Sequence, residues 1–299
     1  RPPRLECTFM FSLELLFEAA LFGVLLGCFY AAVSLGLSVA FGLLDVPYVA
    51  HPALLVMGSY ATYLISSLGI DPLLSGLLLM PIFFLLGMGL YRFYYETFEK
   101  RGSDAGVRGL GFFFGIAFII EVALILVFGV DQRTVRAGYI GSSLEIGDYR
   151  FPYRMLMAFA VALLLTLVLT IYFSKTFNGR AIKAVGQDES ALRLMGANPV
   201  KIKQLAFGIA TAVNALAGAL LIIVGPVEPA MDRIYIGRTF CVVVLAGLGS
   251  MSGTLVAGLI LGVVESVVLM TLGASWAPAV SFGLLLVMLG LRPQGLFGR

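Results

Sequence analysis

Charged residues are scarce in this chain. They make up 12% of its 299 residues, whereas hydrophobic residues make up 60%. Ordinary soluble domains carry about twice that share of charged residues, because charged side chains cover a surface that faces water. The composition therefore excludes an ordinary soluble domain and indicates a protein that crosses a membrane several times.

Signals for metal and nucleic-acid binding are also absent from the sequence. The three cysteines, Cys7, Cys28 and Cys241, have no metal-ligand spacing, and Cys28 and Cys241 lie in apolar runs, where cysteine behaves as a small hydrophobic residue. The net charge of +3 is small, and the basic residues form no stripe with interleaved aromatic residues. Neither a metal centre nor a nucleic-acid partner is expected.

A nucleotide-binding lysine is missing as well. Residues 247–253 (GLGSMSG) resemble a phosphate-binding loop in glycine content, but they lack the lysine of G-x-x-x-x-G-K-[ST], and that motif occurs nowhere in the chain. We therefore expect no ATP hydrolysis, catalytic residue or cofactor in this chain. Glycines inside an apolar run allow a helix break, and irregular backbone at that depth lines a cavity or is buried in protein. This pattern favours a passage for a solute.

Apolar runs long enough to cross a bilayer, about 20 residues each, follow one another along the chain. Residues 239–248 form a run of only about half that depth. Counting this run, the sequence predicts eight or nine transmembrane helices in a single domain of residues 13–299, some of them broken, with a kink at Pro81. Residues 1–12 are interpreted as an N-terminal extension, left from expression or from an altered start. The other runs are residues 13–42, 49–68, 72–91, 109–130, 155–173, 205–224, 254–270 and 279–291.

Three of these runs contain the spacing of small residues that allows membrane helices to pack closely. The glycine pairs are Gly23 and Gly27, Gly111 and Gly115, and Gly258 and Gly262.

A polar, basic segment of residues 178–204 lies between two apolar runs. Gly186 ends a first short helix, Asp188 is expected to cap a second one that stops at Gly196, and Asn198-Pro199 is expected to start the next span. Short helices cannot bury an apolar face alone, so this coupling segment is expected to need a partner; the alternative is a basic loop that only sets orientation. Its apolar face comprises Ile182, Val185, Leu192 and Met195, and its charged face comprises Arg180, Lys183, Arg193, Lys201 and Lys203.

Alternating crossings place the coupling segment on the same side as residues 92–108 and the tail that follows residue 291. These three parts and their immediate flanks hold more than half of the 20 lysines and arginines. The positive-inside rule makes this side cytoplasmic. Residues 131–154 then form a loop on the outer side, although they contain four arginines.

Four polar residues, His51, Glu121, Asn214 and Glu265, lie within apolar runs. Such residues are costly in a membrane and often mark the path of a solute. The alternative is that each caps a broken helix or forms a hydrogen bond with a neighbour.

An intramembrane hydrolase is a second interpretation, with Ser250 or Ser252 as the nucleophile and His51 as its base. The glycine frame that such a serine requires is not met, because Ser250 occupies the place of the first glycine. A purely structural membrane protein is a third interpretation, and the broken helices do not favour it.

Four stretches resemble the permease subunits of branched-chain amino-acid-type ABC importers. They are residues 41–51 (FGLLDVPYVAH) followed by residues 57–60 (MGSY), residues 179–196 (GRAIKAVGQDESALRLMG), residues 242–253 (VVVLAGLGSMSG) and the tail RPQGLFG of residues 292–298. The resemblance implies an all-α fold with broken helices around a central path, embedded in the lipid of a bacterial inner membrane. It also implies four further subunits: a sister permease, identical or different, two cytoplasmic ATPases that bind the ATP, and a periplasmic solute-binding protein.

The resemblance also assigns roles to residues. Arg180, Ile182, Val185, Leu192, Arg193, Met195 and Gly196 would couple the chain to an ATPase, with the apolar side chains in a groove of that subunit. Tyr48, His51, Glu121, Asn214, Gly249, Ser250 and Glu265 are the expected residues of the translocation path.

The stretch around His51 departs from the family pattern. Relatives read asparagine-aromatic-alanine-histidine-glycine where this chain has Tyr48, Val49, Ala50, His51 and Pro52. A phenol and a proline there change the hydrogen bonding and the backbone freedom beside the expected path. Branched-chain amino acids are the expected cargo, and urea, short amides or a more apolar carboxylate remain open.

Overall fold

The computed structural model describes residues 13–101, 105–146 and 149–298, so the proposed extension of residues 1–12 lies outside the described residues. The described chain is almost entirely helical, as expected for an all-α membrane protein. Its helices are α1 (Leu13–Leu44), α2 (His51–Ser67), α3 (Pro72–Thr97), α4 (Ala105–Phe128), α5 (Tyr153–Lys175), α6 (Phe177–Val185), α7 (Glu189–Leu194), α8 (Pro199–Val224), α9 (Asp232–Ala246), α10 (Met251–Leu272) and α11 (Ala277–Leu291).

Seven helical spans of the described residues are long and apolar enough to cross a membrane, and they correspond to α1, α3, α4, α5, α8, α10 and α11, the last extended by the short turn before it. Two shorter helices, α2 with 17 residues and α9 with 15, lie among them. These nine helices overlap the nine apolar runs of the sequence, and the all-α membrane fold is confirmed. Helix α3 continues through Pro81, and the kink at that proline stays a prediction.

The expectation that residues 239–248 form a half-length span is wrong, because most of these residues belong to the longer helix α9. It begins at Asp232 rather than at residue 239, so residues counted as a polar loop form its first two turns. Its 15 residues extend about 22 Å, at 1.5 Å per residue. The helix ends at Gly247, which has a φ of 87°. Two arginines in its first two turns have acidic partners, described below, and this pairing lets charged residues enter the helix bundle.

Helices α1 and α8 form the centre of the bundle. Helix α1 packs antiparallel against α10, while α8 packs against α2 and α3. The ends of several elements meet on one side of the bundle. A Cβ atom on Gly186 would collide with the carbonyl oxygen of Leu43, and one on Gly42 would collide with the backbone of Gly249. The coupling segment therefore lies against the end of α1, beside the start of α10.

The C-terminal tail joins the same side. The amide of Leu296 donates to Leu245 O at 2.9 Å, and the amide of Phe297 donates to Ala246 O at 3.1 Å, both at the end of α9. The predicted grouping of the coupling segment and the tail on one side is confirmed.

A β-hairpin within residues 131–154 was not predicted. Strands β1 (Ser143–Ile146) and β2 (Tyr149–Pro152) pair antiparallel. Earlier in this loop, Arg133 and Val227 exchange backbone hydrogen bonds of 2.9 Å in each direction. The loop is therefore a folded structure that is joined to the segment after α8.

Candidate translocation path and coupling element

The ends of the helices in the coupling segment follow the sequence prediction closely. Asp188 caps α7 by accepting a hydrogen bond from Ala191 N at 2.9 Å, and Asn198 caps α8 by accepting one from Lys201 N at 3.3 Å. Gly196 follows α7 with a φ of 80°, as expected of a glycine after a helix end. Thr176 caps α6 through Gly179 N at 3.0 Å, a cap that sequence reasoning missed.

The apolar face of the coupling segment is mostly buried within the chain itself. Ile182, Val185 and Leu192 are at most 4% exposed, because α6 packs against α1, α5 and α8, and α7 packs against α6 and α8. The expectation that these three side chains enter a groove of another subunit is therefore wrong. Leu194 and Met195 are instead 90% and 77% exposed, and they form an apolar tip at the end of α7.

Charged side chains of this segment are also exposed. Arg193 pairs with Glu189 at 2.7 Å and remains largely exposed, and Arg180 is exposed on α6. Of the residues expected to contact an ATPase, Arg180, Arg193, Met195 and Gly196 are thus accessible. Leu194 completes this surface, and its place next to Met195 in the sequence was the only signal for it.

A buried lysine fixes the coupling segment to the segment after α3. Lys203 Nζ lies 2.6 Å from a carboxylate oxygen of Glu99 and 2.8 Å from one of Glu189. Tyr91 donates a further hydrogen bond of 2.8 Å to Glu99. Burial raises the pKa of Glu189, but the hydrogen bonds and charges of Lys203 and Arg193 outweigh this effect and hold the pKa below its ordinary value. The ionised network joins two segments that are far apart in the sequence.

Three of the expected path residues meet in the centre of the bundle. Residues 45–50 are not helical, and they fold back so that the His51 Nε2 atom lies 2.8 Å from Val33 O. Val33 is about 16 Å along α1 from its end at Leu44. Tyr48 shares a hydrogen bond of 3.2 Å with Thr211 on α8, and Asn214 Nδ2 donates to His51 O at 3.3 Å.

This central cluster of Tyr48, His51 and Asn214 is completely buried. A carbonyl oxygen only accepts hydrogen bonds, so His51 Nε2 carries the proton and His51 Nδ1 is an acceptor. His51 Nδ1 and Asn214 Oδ1 have no hydrogen-bond partner. Irregular backbone is buried in protein here, before α2, whereas the break predicted at residues 247–253 lies between α9 and α10.

Glu265 forms a buried ion pair with Arg238 between α10 and α9. Glu265 is fully buried, and the guanidinium of Arg238 also lies 5.2 Å and 5.4 Å from the ring centres of Tyr30 and Tyr235. The guanidinium thus compensates the charge of Glu265 inside the membrane, as the pairing of ionisable groups there requires.

Glu121 forms a second ion pair with α9, at 2.6 Å from Arg233. The carboxylate is nearly buried, whereas the Arg233 side chain is 70% exposed. Both groups line a cavity of about 400 Å³ between α2, α4 and α9. Sequence reasoning missed both arginines of α9, although their place in the polar stretch before residue 239 was a usable signal.

Gly249 and Ser250 lie apart from these residues, at the start of α10. Ser250 caps that helix by accepting a hydrogen bond from Gly253 N at 3.1 Å. Gly249 contacts Gly42, which is about 13 Å along α1 from the Val33 carbonyl that holds His51. The structure therefore does not bring Ser250 to His51 as a nucleophile and its base.

Comparison with known proteins identifies the family. A model described as the permease component of branched-chain amino acid transport systems matches residues 19–289. The chain belongs to this family. It is a transport permease of the ABC importer type and not an enzyme, and any ATPase activity lies on separate subunits.

Relatives of this permease match along almost its whole length. BraD, a high-affinity branched-chain amino acid transport permease protein of Pseudomonas aeruginosa, is 25% identical over 288 residues, covering 93% of this chain and 94% of BraD. The corresponding protein LivH of Escherichia coli is 28% identical over 306 residues, covering 97% of each chain. The permease protein LivM of Escherichia coli is 27% identical, covering 89% of this chain and 67% of LivM.

Proposed function

We propose that this permease forms part of the path for a branched-chain amino acid through a bacterial inner membrane. A second permease would complete the path, and a periplasmic binding protein would deliver the cargo. Two cytoplasmic ATPases would bind ATP and drive the transport. The observation that carries this proposal is the family match over residues 19–289, which includes the coupling segment and all the embedded polar residues.

The cargo is proposed from the relatives. BraD and LivH both carry branched-chain amino acid transport in their names, and both align with more than nine-tenths of this chain. Urea, short amides and apolar carboxylates are not favoured by any of these relatives. A second permease is proposed because the chain is similar to both LivH and LivM of the same organism.

The shape of the coupling segment supports docking of an ATPase. Its apolar tip, Leu194 and Met195, projects from a segment that is held at Leu43 by Gly186 and at Glu99 by Lys203. A small exposed apolar group next to a charged side chain such as Arg193 is typical of a contact with a partner protein. Because the segment is held in several places, a displacement of its tip would move the ends of α1 and α8. Such a movement would switch the path from an outward-open to an inward-open state.

Substitution of the tip tests the docking. We expect Leu194→Glu to lower ATP hydrolysis stimulated by the loaded binding protein at least about tenfold, since a central apolar contact would be replaced by a charge. Gln187→Glu, an exposed position just before α7, adds the same charge outside the tip and is the control. Stimulated hydrolysis is measured on the purified complex in proteoliposomes. Equal stimulation in both variants would show that the tip is not the contact.

Isolation of the assembly tests the partners and the cargo. Purification of the tagged permease in mild detergent is expected to recover two kinds of further subunit, an ATPase and a second permease. Uptake of radiolabelled leucine by the reconstituted complex, dependent on ATP and on the binding protein, is the expected activity. A permease that is purified alone and is active alone would contradict the proposal.

A further inference from the structure

The cavity between α2, α4 and α9 combines charge and apolar surface in an unusual way for a membrane-embedded region. Glu121, Asp232 and Arg233 line it together with apolar side chains of all three helices. Its volume of about 400 Å³ lies within the range of roughly 300 to 1,000 Å³ for small-molecule sites. The remaining walls are formed by Val49, Pro52, Phe114, Phe118 and Ile236.

The charges in this cavity do not balance within the protein. Arg233 is paired with Glu121 at 2.6 Å, which leaves the carboxylate of Asp232 as an excess negative charge. The Oδ1 atom of Asp232 has no hydrogen-bond partner in the structure. Asp232 is half-buried, and an excess negative charge beside apolar walls is unfavourable, so the cavity favours a ligand that brings a cationic group.

Arg233 provides the opposite recognition element. Its guanidinium has five N–H donors in a planar fork, and only the Nη2 group is used in the bond to Glu121. The side chain is 70% exposed, so it lies at the mouth of the cavity. A guanidinium in this position can bind a carboxylate with two parallel hydrogen bonds.

We propose that this cavity binds an α-amino acid with an apolar side chain as a station on the translocation path. The ammonium group lies beside Asp232 and Glu121, the carboxylate binds Arg233, and the side chain packs against Phe118 and Ile236. This inference rests on the proposed import function and adds the site that recognises the cargo. Both elements are needed, because a carboxylate alone would add to the negative charge and an amine alone would leave Arg233 unused.

Protection from chemical labelling tests the site without relying on transport. Ile236→Cys is introduced in a Cys7→Ser background, since Cys28 and Cys241 are buried. The assembled complex is treated with a membrane-impermeant maleimide in the presence of L-leucine, 3-methylbutylamine or 4-methylpentanoate. The last two compounds are leucine without its carboxylate and leucine without its amino group. We expect saturating leucine to slow labelling at least about tenfold and each fragment to slow it far less.

A control position separates local protection from a general change in the complex. Thr134→Cys, exposed in the loop after α4, is expected to label at the same rate with and without leucine. Three results would overturn the proposal: no labelling of Ile236→Cys, labelling that leucine does not slow, or equal protection by 3-methylbutylamine. The first would mean that the partner permease or lipid covers the cavity, and the third that the site binds a simple cation.

Leucine uptake provides the second measurement. Arg233→Gln and Asp232→Asn are each expected to lower uptake about tenfold, with Arg136→Gln and Asp131→Asn in the exposed outer loop as matched controls that retain it. Uptake that is unchanged in both cavity variants would overturn the site and leave the import function intact. An absence of leucine uptake by the unaltered complex would instead refute the import function, and the labelling result would still decide whether the cavity binds an amino acid.

Discussion

Two pairs of glycines with the same spacing have opposite surroundings in this permease. In α1, a Cβ atom on Gly27 would lie 2.6 Å from the Cα atom of Leu259 on α10. In α4, a Cβ atom on Gly111 or Gly115 would meet nothing within 4 Å. The spacing of small residues therefore permits close packing of helices, but a contact forms only where a second helix presents small residues of its own. Helix α10 does so, because a Cβ atom on Gly258 would lie 2.6 Å from the carbonyl oxygen of Gly27.

Whole helices differ in burial in the same way as the glycine pairs do. The most apolar window of α4 has a mean hydropathy of 2.7, and 17% of that window is buried inside the protein. The corresponding window of α8 has a mean hydropathy of 2.2, and 89% of it is buried. A helix that faces lipid and a helix in the protein core both need apolar side chains, so hydropathy does not distinguish them. The two surroundings instead predict different responses to substitution.

The largest expected effect is at the contact of α1 with α10. Gly27→Leu would place a side chain against the backbone of α10, where it has no room, and we expect it to destabilise the permease by about 3 kcal/mol. Gly115→Leu in α4 is the matched control and is expected to have little effect. The yield of monodisperse protein and its unfolding temperature in detergent measure the difference. Similar behaviour of the two variants would remove the distinction between the glycine pairs.

The ion pairs allow the comparison to be repeated with charged residues. Arg238→Met leaves the fully buried Glu265 without its partner, and we expect a loss of about 3–5 kcal/mol. Arg150→Met breaks an exposed pair with Glu145 and is expected to change stability by at most about 1 kcal/mol. Thermal unfolding in detergent is the measurement.

A double variant tests the physical reason for that loss. Glu265→Leu combined with Arg238→Met removes both charges and is expected to recover most of the stability, because an apolar pair replaces a buried unpaired charge. A double variant as unstable as Arg238→Met alone would argue against an unpaired charge as the cause.

The smallest expected effect is the pH dependence of the coupling segment. The folded protein holds the pKa of Glu189 below its ordinary value, so its ionised form stabilises the fold above that ordinary value. This stability is lost as the pH falls through the lowered pKa. We expect about 1 kcal/mol or less, since Glu189 is 32% exposed and water screens the pair.

Comparison with Glu189→Gln isolates this contribution. The unfolding temperatures of the two proteins are expected to differ at neutral pH and to converge as the solution is made acidic. A constant difference across the range would show that ionisation of Glu189 does not contribute. The same measurement with Gln187→Glu, which lies outside the network, serves as the control.

Local signals allowed much of the coupling segment to be predicted. Asp188, Gly196 and Asn198 act at helix ends as their types suggest, because a cap depends only on the few residues around it. The prediction that Ile182 and Leu192 enter a groove of another subunit was wrong, because their burial depends on packing between helices rather than on nearby residues. The groove that covers Ile182 comes from helices distant in the sequence, including α1 and α8.

The partners of the embedded polar residues could not be predicted either, because they also come from distant parts of the sequence. Glu121 and Glu265 are recognisable in the sequence as charged residues within apolar runs, but their partners Arg233 and Arg238 are 112 and 27 residues away. The pattern around residue 239 suggested a short span that begins after these arginines. Helix α9 begins earlier because the two acidic residues compensate the charges that its first turns carry into the membrane.

The sequence by itself determined the class of protein, the all-α fold, the caps of the coupling segment and the family, since these depend on composition, local periodicity and motifs. Only the tertiary structure decided which glycine pairs form contacts, which arginines neutralise Glu121 and Glu265, and where charge and apolar surface meet in a cavity. Those features depend on the pairing of helices that are remote along the chain, and hydropathy, which is the same for lipid-facing and core-facing helices, carries no information about that pairing.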